Sequence, residues 1–475
     1  MTTEIALDVK NLWFRYPIGD WILRGVNLTL HSGEQVLIIG DTGSGKTTLL
    51  RALTKVGQAV YGGEQRGEVI IEGKSLESLQ LEEIFKYVHV IGQNPYLYFT
   101  EPLVQQDLLS YAQRVHGDQE VAARAVSRAV ESTGVHKLLS KYCFELSGGE
   151  ARRALVAKSL VADPIVFAFD EPLMWLDDQG VGDFIELLRL LKGLGKTALV
   201  FEHRFLPIYK HFNRVMLLKG GELRDVTSLL LNRAQADGVT SRNALVKRNT
   251  SPNSSLALRV RELHYSYEDA PVLREVSLDI EKGDLVLIYG LNGSGKTTLL
   301  KVLSGYLKPK RGRVERYVDA IYIPQNAILF YTEETVEKEV QELCKARKLG
   351  KDCIEEGTLR AKQIGLSLGQ SVFNLSHGQM VKLAVELAIL TRAGLLLLDE
   401  PFSGLTYRDR LLLLNRLASL GIAVVVASSS LDAVVSSMWT KMYKLEGGTL
   451  RNLELQHRYD LINASELYSE VVAIA

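Results

Sequence analysis

GDTGSGKT, from Gly40 to Thr47, and GLNGSGKT, from Gly290 to Thr297, decide how this chain is read. Both fit G-x-x-x-x-G-K-[ST]. Each follows a short apolar run, QVLII or LVLIY, that reads as a buried strand, and each is followed by TLL, the start of a helix. In a strand–loop–helix of this kind, backbone N–H groups and the helix N-terminus surround phosphate oxygens. Gly40, Gly43 and Gly45, with Gly290, Gly293 and Gly295 in the second copy, leave room for that approach. Lys46 and Lys296 then reach the β/γ-phosphates of a nucleoside triphosphate. The hydroxyls of Thr47 and Thr297 reach Mg²⁺, with Thr48 and Thr298 beside them on the phosphates.

Working outward, the whole chain repeats. Lys46 and Lys296 stand 250 residues apart, and Gln93 and Gln325 stand 232 apart. Ser147 and Ser376, like Asp170 and Asp399, stand 229 apart. The second copy is therefore 18 residues shorter between its phosphate loop and its glutamine. The missing material matches the stretch around GQAVYGGEQRGEVIIEGKSLESLQ, which reads as a peripheral antiparallel hairpin. Between the copies, ADGVTSRNALVKRNTSPNSS is polar and aperiodic and reads as a linker. The organisation expected is a first domain over 1–235, a linker over 236–255 with the boundary near Ser251, and a second domain over 256–475. Strand-like runs (VLII, IVFAFD, TALVFE) alternate with helical ones, so each domain is α/β with a mostly parallel central sheet. Ligands of such sheets bind at the carboxyl ends of the strands, where the phosphate loops fall.

Bulk properties exclude several classes. The chain has 475 residues, 46% of them apolar and 24% charged, with 56 basic against 56 acidic side chains. Zero net charge gives no broad footprint for nucleic acid, and no nucleic-acid partner is expected. The basic run KPKRGRVER, Lys308 to Arg316, reads as a solvated turn. Cys143, Cys344 and Cys353 form no metal spacing and no even framework, which points to a reducing cytoplasm. No apolar stretch reaches the ~20 residues that span a membrane.

A second set of motifs narrows the class. FELSGGEARRALVAKSLVADPIVFAFDEP runs from Phe144 to Pro172, and FNLSHGQMVKLAVELAILTRAGLLLLDEP from Phe373 to Pro401. LSGG-x followed by an apolar run and D-E-P resembles the ATP-binding cassette (ABC) family, and the likeness covers nearly the whole chain. It implies an α/β fold of two tandem P-loop NTPase (ABC ATPase) domains. Each would carry a mostly parallel central sheet, a small antiparallel β subdomain and a helical subdomain. It also implies ATP and Mg²⁺ as cofactors and ATP hydrolysis as the activity.

The resemblance assigns roles by position. Tyr16 and Tyr267 stand where the family stacks an aromatic ring on adenine. Asp170 and Asp399 act on Mg²⁺. Glu171 and Glu400 orient or deprotonate the attacking water. Gln93 and Gln325 sense Mg²⁺ and that water. His203 stands where the family places a histidine against the γ-phosphate. Ser147, Gly148 and Gly149, with Ser376 and Gly378, form the signatures that close on the nucleotide held by the opposite cassette. Site one would join Lys46, Gln93, Asp170, Glu171 and His203 to Leu375–Gln379, and site two would join Lys296, Gln325, Asp399 and Glu400 to Leu146–Glu150. Each has one irregularity. The signature serving site one reads LSHGQ, with His377 at a usual glycine; its imidazole would crowd the phosphate or, protonated, add an anion contact. In site two Ser429 takes the place of His203. Thr406 also replaces the aspartate that the first copy keeps as Asp177. The expectation is functional asymmetry, with site one turning over faster.

QNPYLYFTEPLVQQDL, QNAILFYTEETVEKEV, FELSGG and EHR (Glu202 to Arg204) are similar to stretches of energy-coupling factor (ECF) transporter ATPases. That likeness implies an importer of a vitamin or a transition-metal ion, peripheral on the cytoplasmic face of the cell membrane. Its partners would be a transmembrane coupling protein and a membrane-embedded substrate-binding protein, with the two cassettes pairing within one chain. The docking surface would lie over Asn94 to Tyr111 and Asn326 to Val340, with Tyr96, Tyr98, Phe99, Phe330 and Tyr331 exposed. The alternative is a soluble twin-cassette ATPase acting on the ribosome or in translation.

Overall fold

A computed structural model describes residues 4–41, 43–174, 176–236, 255–431 and 439–453. They divide into two compact units, one for each copy of the repeat. The linker's interior and the boundary expected near Ser251 lie outside the described residues.

In the first unit, β1 (Ile5–Arg15), β2 (Leu23–His31) and β3 (Gln35–Ile39) lead to α1 (Lys46–Leu53). Then come β4 (Glu64–Ile71), β5 (Lys74–Ser75) and β6 (Val88–Ile91). A helical segment follows, with α2 (Val104–His116), α3 (Gln119–Thr133) and α4 (Gly148–Ala162). The chain then returns through β7 (Val166–Asp170), α5 (Asp178–Gly193), β8 (Thr197–Glu202), β9 (Arg214–Lys219), β10 (Glu222–Asp225) and α6 (Thr227–Ala236). The central sheet has the order β10-β9-β3-β8-β7-β6, parallel except for β10. Every residue of β3, β7 and β8 is buried, which is why those stretches read as unbroken apolar runs rather than alternation. A separate antiparallel sheet has the order β2-β1-β4-β5.

The second unit repeats this plan with β11 (Leu256–Tyr267), β12 (Ala270–Glu281), β13 (Leu285–Tyr289), α7 (Lys296–Ser304), β14 (Arg311–Arg316) and β15 (Ala320–Ile323). Its helical segment holds α8 (Val336–Ala346), α9 (Gly350–Gln363) and α10 (His377–Leu390). β16 (Leu395–Asp399), α11 (Tyr407–Ala418), β17 (Ala423–Ser428), β18 (Lys441–Glu446) and β19 (Thr449–Asn452) complete it. Its sheets have the orders β15-β16-β17-β13-β18-β19 and β12-β11-β14.

Two expectations need correction here. The missing hairpin is only half missing: β14 keeps the place of β4, and what is lost is the counterpart of the short helix Val56–Ala59, of β5 and of the helical turns Leu76–Ser78 and Leu81–Ile84. Among the described residues β14 is therefore a free edge. Most of the basic run, Arg311 to Arg316, lies on that edge strand rather than in a turn. Exposed Arg311 and Arg313 and the positive φ of Gly312 (84°), beside a break in register, discourage pairing with another strand. Second, Cys344 and Cys353 are joined by a disulfide. Their spacing along the chain suggested no framework. But α8 and α9 pack together, and the two Cα atoms come to 5.8 Å. The bond does not support the expectation of a reducing compartment. Cys143 remains a buried thiol, pushed up to about 11 first by burial and then by Asp107.

Glu386 ties the helical segment of the second unit to the core. Its carboxylate accepts from Arg360 Nη1 at 2.7 Å and from Arg416 Nε and Nη2 at 2.8 and 3.0 Å, joining α10 to α9 and α11. Burial opposes its charge, yet the two guanidiniums hold its carboxyl below the usual range. The stability this contributes is present above the unfolded value of about 4.3 and lost as pH falls through the depressed folded value. Glu386→Gln is expected to cost about 2 kcal/mol at pH 7 and to flatten the acid limb of a stability–pH curve from thermal melts.

Candidate functional site: two phosphate loops and their carboxylates

Each phosphate loop is shaped by glycines with no substitute. Gly45 and Gly295 have φ of 103° and 101° as they open α1 and α7. A Cβ on Gly40 or Gly290 would lie 2.6 Å from the carbonyl oxygen of Leu218 or Leu445 on the neighbouring strand. Inside the first loop Lys46 is only 4% exposed. Its Nζ donates to the carbonyls of Gly40 and Asp41 at 2.8 and 3.0 Å. Lys296 does the same with Gly290 and Leu291 at 2.6 and 3.1 Å. Each ammonium is thus seated where the loop curls. Burial depresses the pKa of Lys46, and Glu171, Glu202, Asp170 and Asp41 work against that.

The carboxylates arrive from the ends of β7 and β16. Thr47 Oγ1 donates to Asp170 Oδ2 at 3.1 Å. Burial, then the neighbouring Glu171, pushes Asp170 up to about 6, opposed by Thr47 and Lys46. Asp399 Oδ1 is buried without a hydrogen bond among the described residues. A hard cation taking Asp170 and Thr47, or Asp399 and Thr297, together with phosphate oxygens fits both places. Thr48 and Thr298 are buried one residue further along each helix.

Glu171 and Glu400 both sit in the left-handed region, at φ 48° and 49°. That conformation costs about 1–3 kcal/mol for a non-glycine residue and clusters at functional sites. Their N–H groups still bond across the sheet, to Phe201 O at 2.8 Å and Ala427 O at 3.0 Å. The strand therefore ends and turns at that residue.

Around these glutamates the units diverge. Glu171 Oε2 accepts from Gln93 Nε2 at 3.0 Å, and Oε1 lies 3.4 Å from His203 Nδ1 and 3.7 Å from Lys46 Nζ. Burial raises its pKa, but His203 and Lys46 outweigh burial and hold it below the ordinary value. Glu400 has Lys296 at 3.4 Å and accepts from the Ser429 N–H at 3.0 Å. Burial wins there, and its pKa is raised. Gln325, at the matching position, is exposed, as Gln93 is. Tyr322, which sequence reasoning passed over, donates to Asp399 Oδ2 at 3.1 Å; its counterpart by spacing is Val90.

The signatures begin helices. Ser147 caps α4 and Ser376 caps α10, each in a reciprocal pair with the residue three along, Glu150 or Gln379. This accounts for the Glu or Gln that closes each motif. Gly148, Gly149 and Gly378 lie in those first turns. Burial depresses the pKa of His377, which works against a charged ring at this position. The ring packs against Gly404, where an added Cβ would meet His377 Cδ2 at 3.2 Å. By the repeat spacing, Gly148 and Trp175 are the partners of His377 and Gly404, so small and large exchange places between the two copies. Thr406 also proves equivalent to Asp177, since each caps the following helix, through Asp409 N–H at 3.2 Å and Gly180 N–H at 2.8 Å.

The two tyrosines expected at adenine differ. Tyr267 is 46% exposed. Tyr16 is half-buried, edge-on to Phe14 and Tyr61, and its hydroxyl accepts from Arg51 Nη1 at 2.9 Å. Of the aromatic residues expected to face a partner, Tyr96 and Tyr98 are exposed, Phe99 and Phe330 half-buried, and Tyr331 buried. Tyr331 donates to the Met380 carbonyl and so belongs to the core. Leu97 and Leu329, at matching positions, are 78% and 73% exposed.

Two loops that cradle phosphate, each with an aspartate and a glutamate at a strand end, define a twin P-loop ATPase. A family model described as "ABC transporter" matches residues 23–174 and 273–403, and the chain belongs to that family. It is an ATP-hydrolysing enzyme with two cassettes. It is similar to a Methanosarcina acetivorans protein named "Putative ABC transporter ATP-binding protein", at 27% identity over 93% of this chain and 89% of that one. Among solved structures it resembles "RNase-L Inhibitor", at 20% identity over 94% of this chain and 91% of that one, TM-score 0.64. A second is "Model of ribosome-bound archaeal Pelota and ABCE1", at 21% identity over 97% of this chain and 80% of that one, TM-score 0.65. At these identities the two structures carry the fold.

Proposed function

We propose that the chain is the ATP-hydrolysing subunit of a membrane transporter, an importer of the energy-coupling factor kind moving a vitamin or a transition-metal ion. It would lie on the cytoplasmic face of the membrane, with a transmembrane coupling protein and a membrane-embedded substrate-binding protein as partners. The observation that carries this reading is the exposed apolar loop after each glutamine, Tyr96 to Tyr98 and Leu329. An exposed apolar group on a rigid loop fits a protein partner. The name of the Methanosarcina relative agrees. None of the described helices is long and apolar enough to cross a membrane.

Lys46 and Lys296 hold phosphate oxygens. Thr47, Asp170 and Gln93, or Thr297, Asp399 and Gln325, would hold Mg²⁺, which neutralises phosphate charge when bound. Glu171 takes the proton of the attacking water, with Gln93 and His203 fixing its carboxylate. Tyr16 and Tyr267 stack on adenine. Tyr267→Ala is expected to weaken one of two ATP-binding steps about 10-fold and to spare the other, as read by calorimetric titration.

The solved structures favour a second reading, an ATPase acting on the ribosome, since a twin-cassette match over nearly the entire chain is titled as ribosome-bound. Affinity purification of the tagged full chain from gently solubilised native membranes separates the two. Co-purified multi-span membrane proteins are the expected result. Recovery with ribosomal subunits and no membrane protein overturns the transporter reading and establishes the second.

A further inference from the structure

Glu202 ends β8 with 0% exposure, and a buried carboxylate is retained only where several groups satisfy it. Its Oε1 accepts from the N–H groups of His203 and Arg204 at 2.8 and 2.9 Å. Its Oε2 accepts from the Leu173 N–H at 3.0 Å, three residues beyond Asp170. The same Oε1 lies 3.2 Å from His203 Nδ1, the nitrogen that Glu171 Oε1 approaches at 3.4 Å from elsewhere. Neither contact is a well-aligned hydrogen bond, so one ring nitrogen faces two carboxylates at ion-pair range. The next residue, Arg204, is also buried, and its Nη1 donates to the Leu173 and Leu176 carbonyls at 3.2 and 2.9 Å. Glu202 and Arg204 together fasten the imidazole, Leu173 and Leu176 to the end of β8.

The second cassette shows what the fold needs without this brace. There the three positions are Ser428, Ser429 and Ser430. Ser428 Oγ donates to the Ser430 carbonyl at 3.0 Å and accepts the Ser430 N–H at 3.3 Å, a closure local to the turn. Small neutral residues therefore suffice to finish this strand. The buried ion-bearing pair is kept in the cassette that has a histidine to hold.

We propose that Glu202 is a positioning residue for ATP hydrolysis in the first cassette, fixing the His203 ring against Glu171 and coupling it to Leu173. This rests on the reading that His203 and Glu171 serve hydrolysis. Two carboxylates facing Nδ1 keep a proton on that nitrogen and so fix ring orientation. In Glu202→Gln one oxygen becomes an NH₂ group that confronts either Leu173 N–H or the His203 and Arg204 N–H groups.

The test uses the full chain carrying Glu400→Gln, so that turnover reports the first cassette. Glu202→Gln is expected to lower kcat about 30-fold, leave KM for ATP within about threefold, and cost less than about threefold when added to His203→Ala. Long-range ¹H–¹⁵N spectra of the full chain should show the proton of His203 leaving Nδ1 in the Glu202→Gln protein. A folded variant with unchanged kcat and an unchanged ring signal overturns the proposal. So does a loss carried by KM, or one that adds fully to His203→Ala. If Glu202→Gln does not fold, Glu202→Asp, which keeps both oxygens one methylene further back, takes its place under the same criteria. If His203→Ala alone keeps kcat, the reading of His203 fails, and the ring spectrum still decides whether Glu202 positions it.

Discussion

Glu171→Gln lowers steady-state ATPase activity of the full chain about 10²–10³-fold, whereas Glu400→Gln lowers it less than about threefold. The expectation follows from what surrounds each carboxylate. A general base must be ionised and oriented before it can take a proton. Glu171 is held below its ordinary pKa against its own burial, and Gln93, His203 and Lys46 approach it from different elements. Glu400 is raised by burial and is held by Lys296 and the Ser429 backbone N–H. Tyr322 adds a hydrogen bond to the adjacent Asp399, where the first cassette has Val90. In the signature expected to serve the first site, burial works against a charge on His377, and its ring lies against Gly404. Phosphate release from the two single variants, measured side by side, checks this. Equal losses would remove the asymmetry, and a larger loss from Glu400→Gln would reverse it.

The parts of this site that were legible in the sequence are those fixed by local backbone geometry. A loop that needs φ near 100° at Gly45 and Gly295 must spell itself with glycine. A strand buried on both faces must be an apolar run, so Asp170 and Asp399 stand out at its end. What was not legible depends on elements distant in sequence. Cys344 and Cys353 meet because two helices pack, not because of their spacing. EHR was readable only as a likeness; Glu202 and Arg204 acquire a reason once Leu173 and Leu176 are seen within reach. His377 looked like a fault in isolation, and Gly404 shows where its ring was accommodated. The same applies to Thr406, which lost a carboxylate and kept the helix cap.

The largest stability effect is expected at Asp107, and the chain supplies its own control. Asp107 lies on α2 and is almost fully buried. Its Oδ1 accepts from the Thr100 N–H at 2.7 Å, the Thr100 hydroxyl at 2.8 Å and the Glu101 N–H at 3.2 Å. Its Oδ2 lies 2.8 Å from Lys158 Nζ, and that ammonium also donates to the Tyr98 carbonyl at 2.8 Å. The pair thereby fastens α4 to the loop that exposes Tyr96 and Leu97. Asp107→Asn keeps the shape but strands a buried ammonium, at a cost of about 3–5 kcal/mol. That corresponds to a fall of about 10 °C in the melting of a unit this size. In the second cassette Glu339 accepts the equivalent N–H groups of Thr332 and Glu333 at 2.9 and 2.7 Å, but Leu387 stands where Lys158 does. With no ammonium to strand, and with burial already raising its pKa, Glu339→Gln should cost about 1 kcal/mol. The second cassette also states the remedy: Lys158→Leu added to Asp107→Asn should recover most of the lost stability, because it removes the stranded charge at the loss of one hydrogen bond, to the Tyr98 carbonyl, while the bonds from Thr100 and Glu101 remain. Thermal melts of the full-length variants decide it. Equal shifts for Asp107→Asn and Glu339→Gln, or no recovery in the double variant, would show that the carboxylate's hydrogen bonds rather than the ion pair hold the loop.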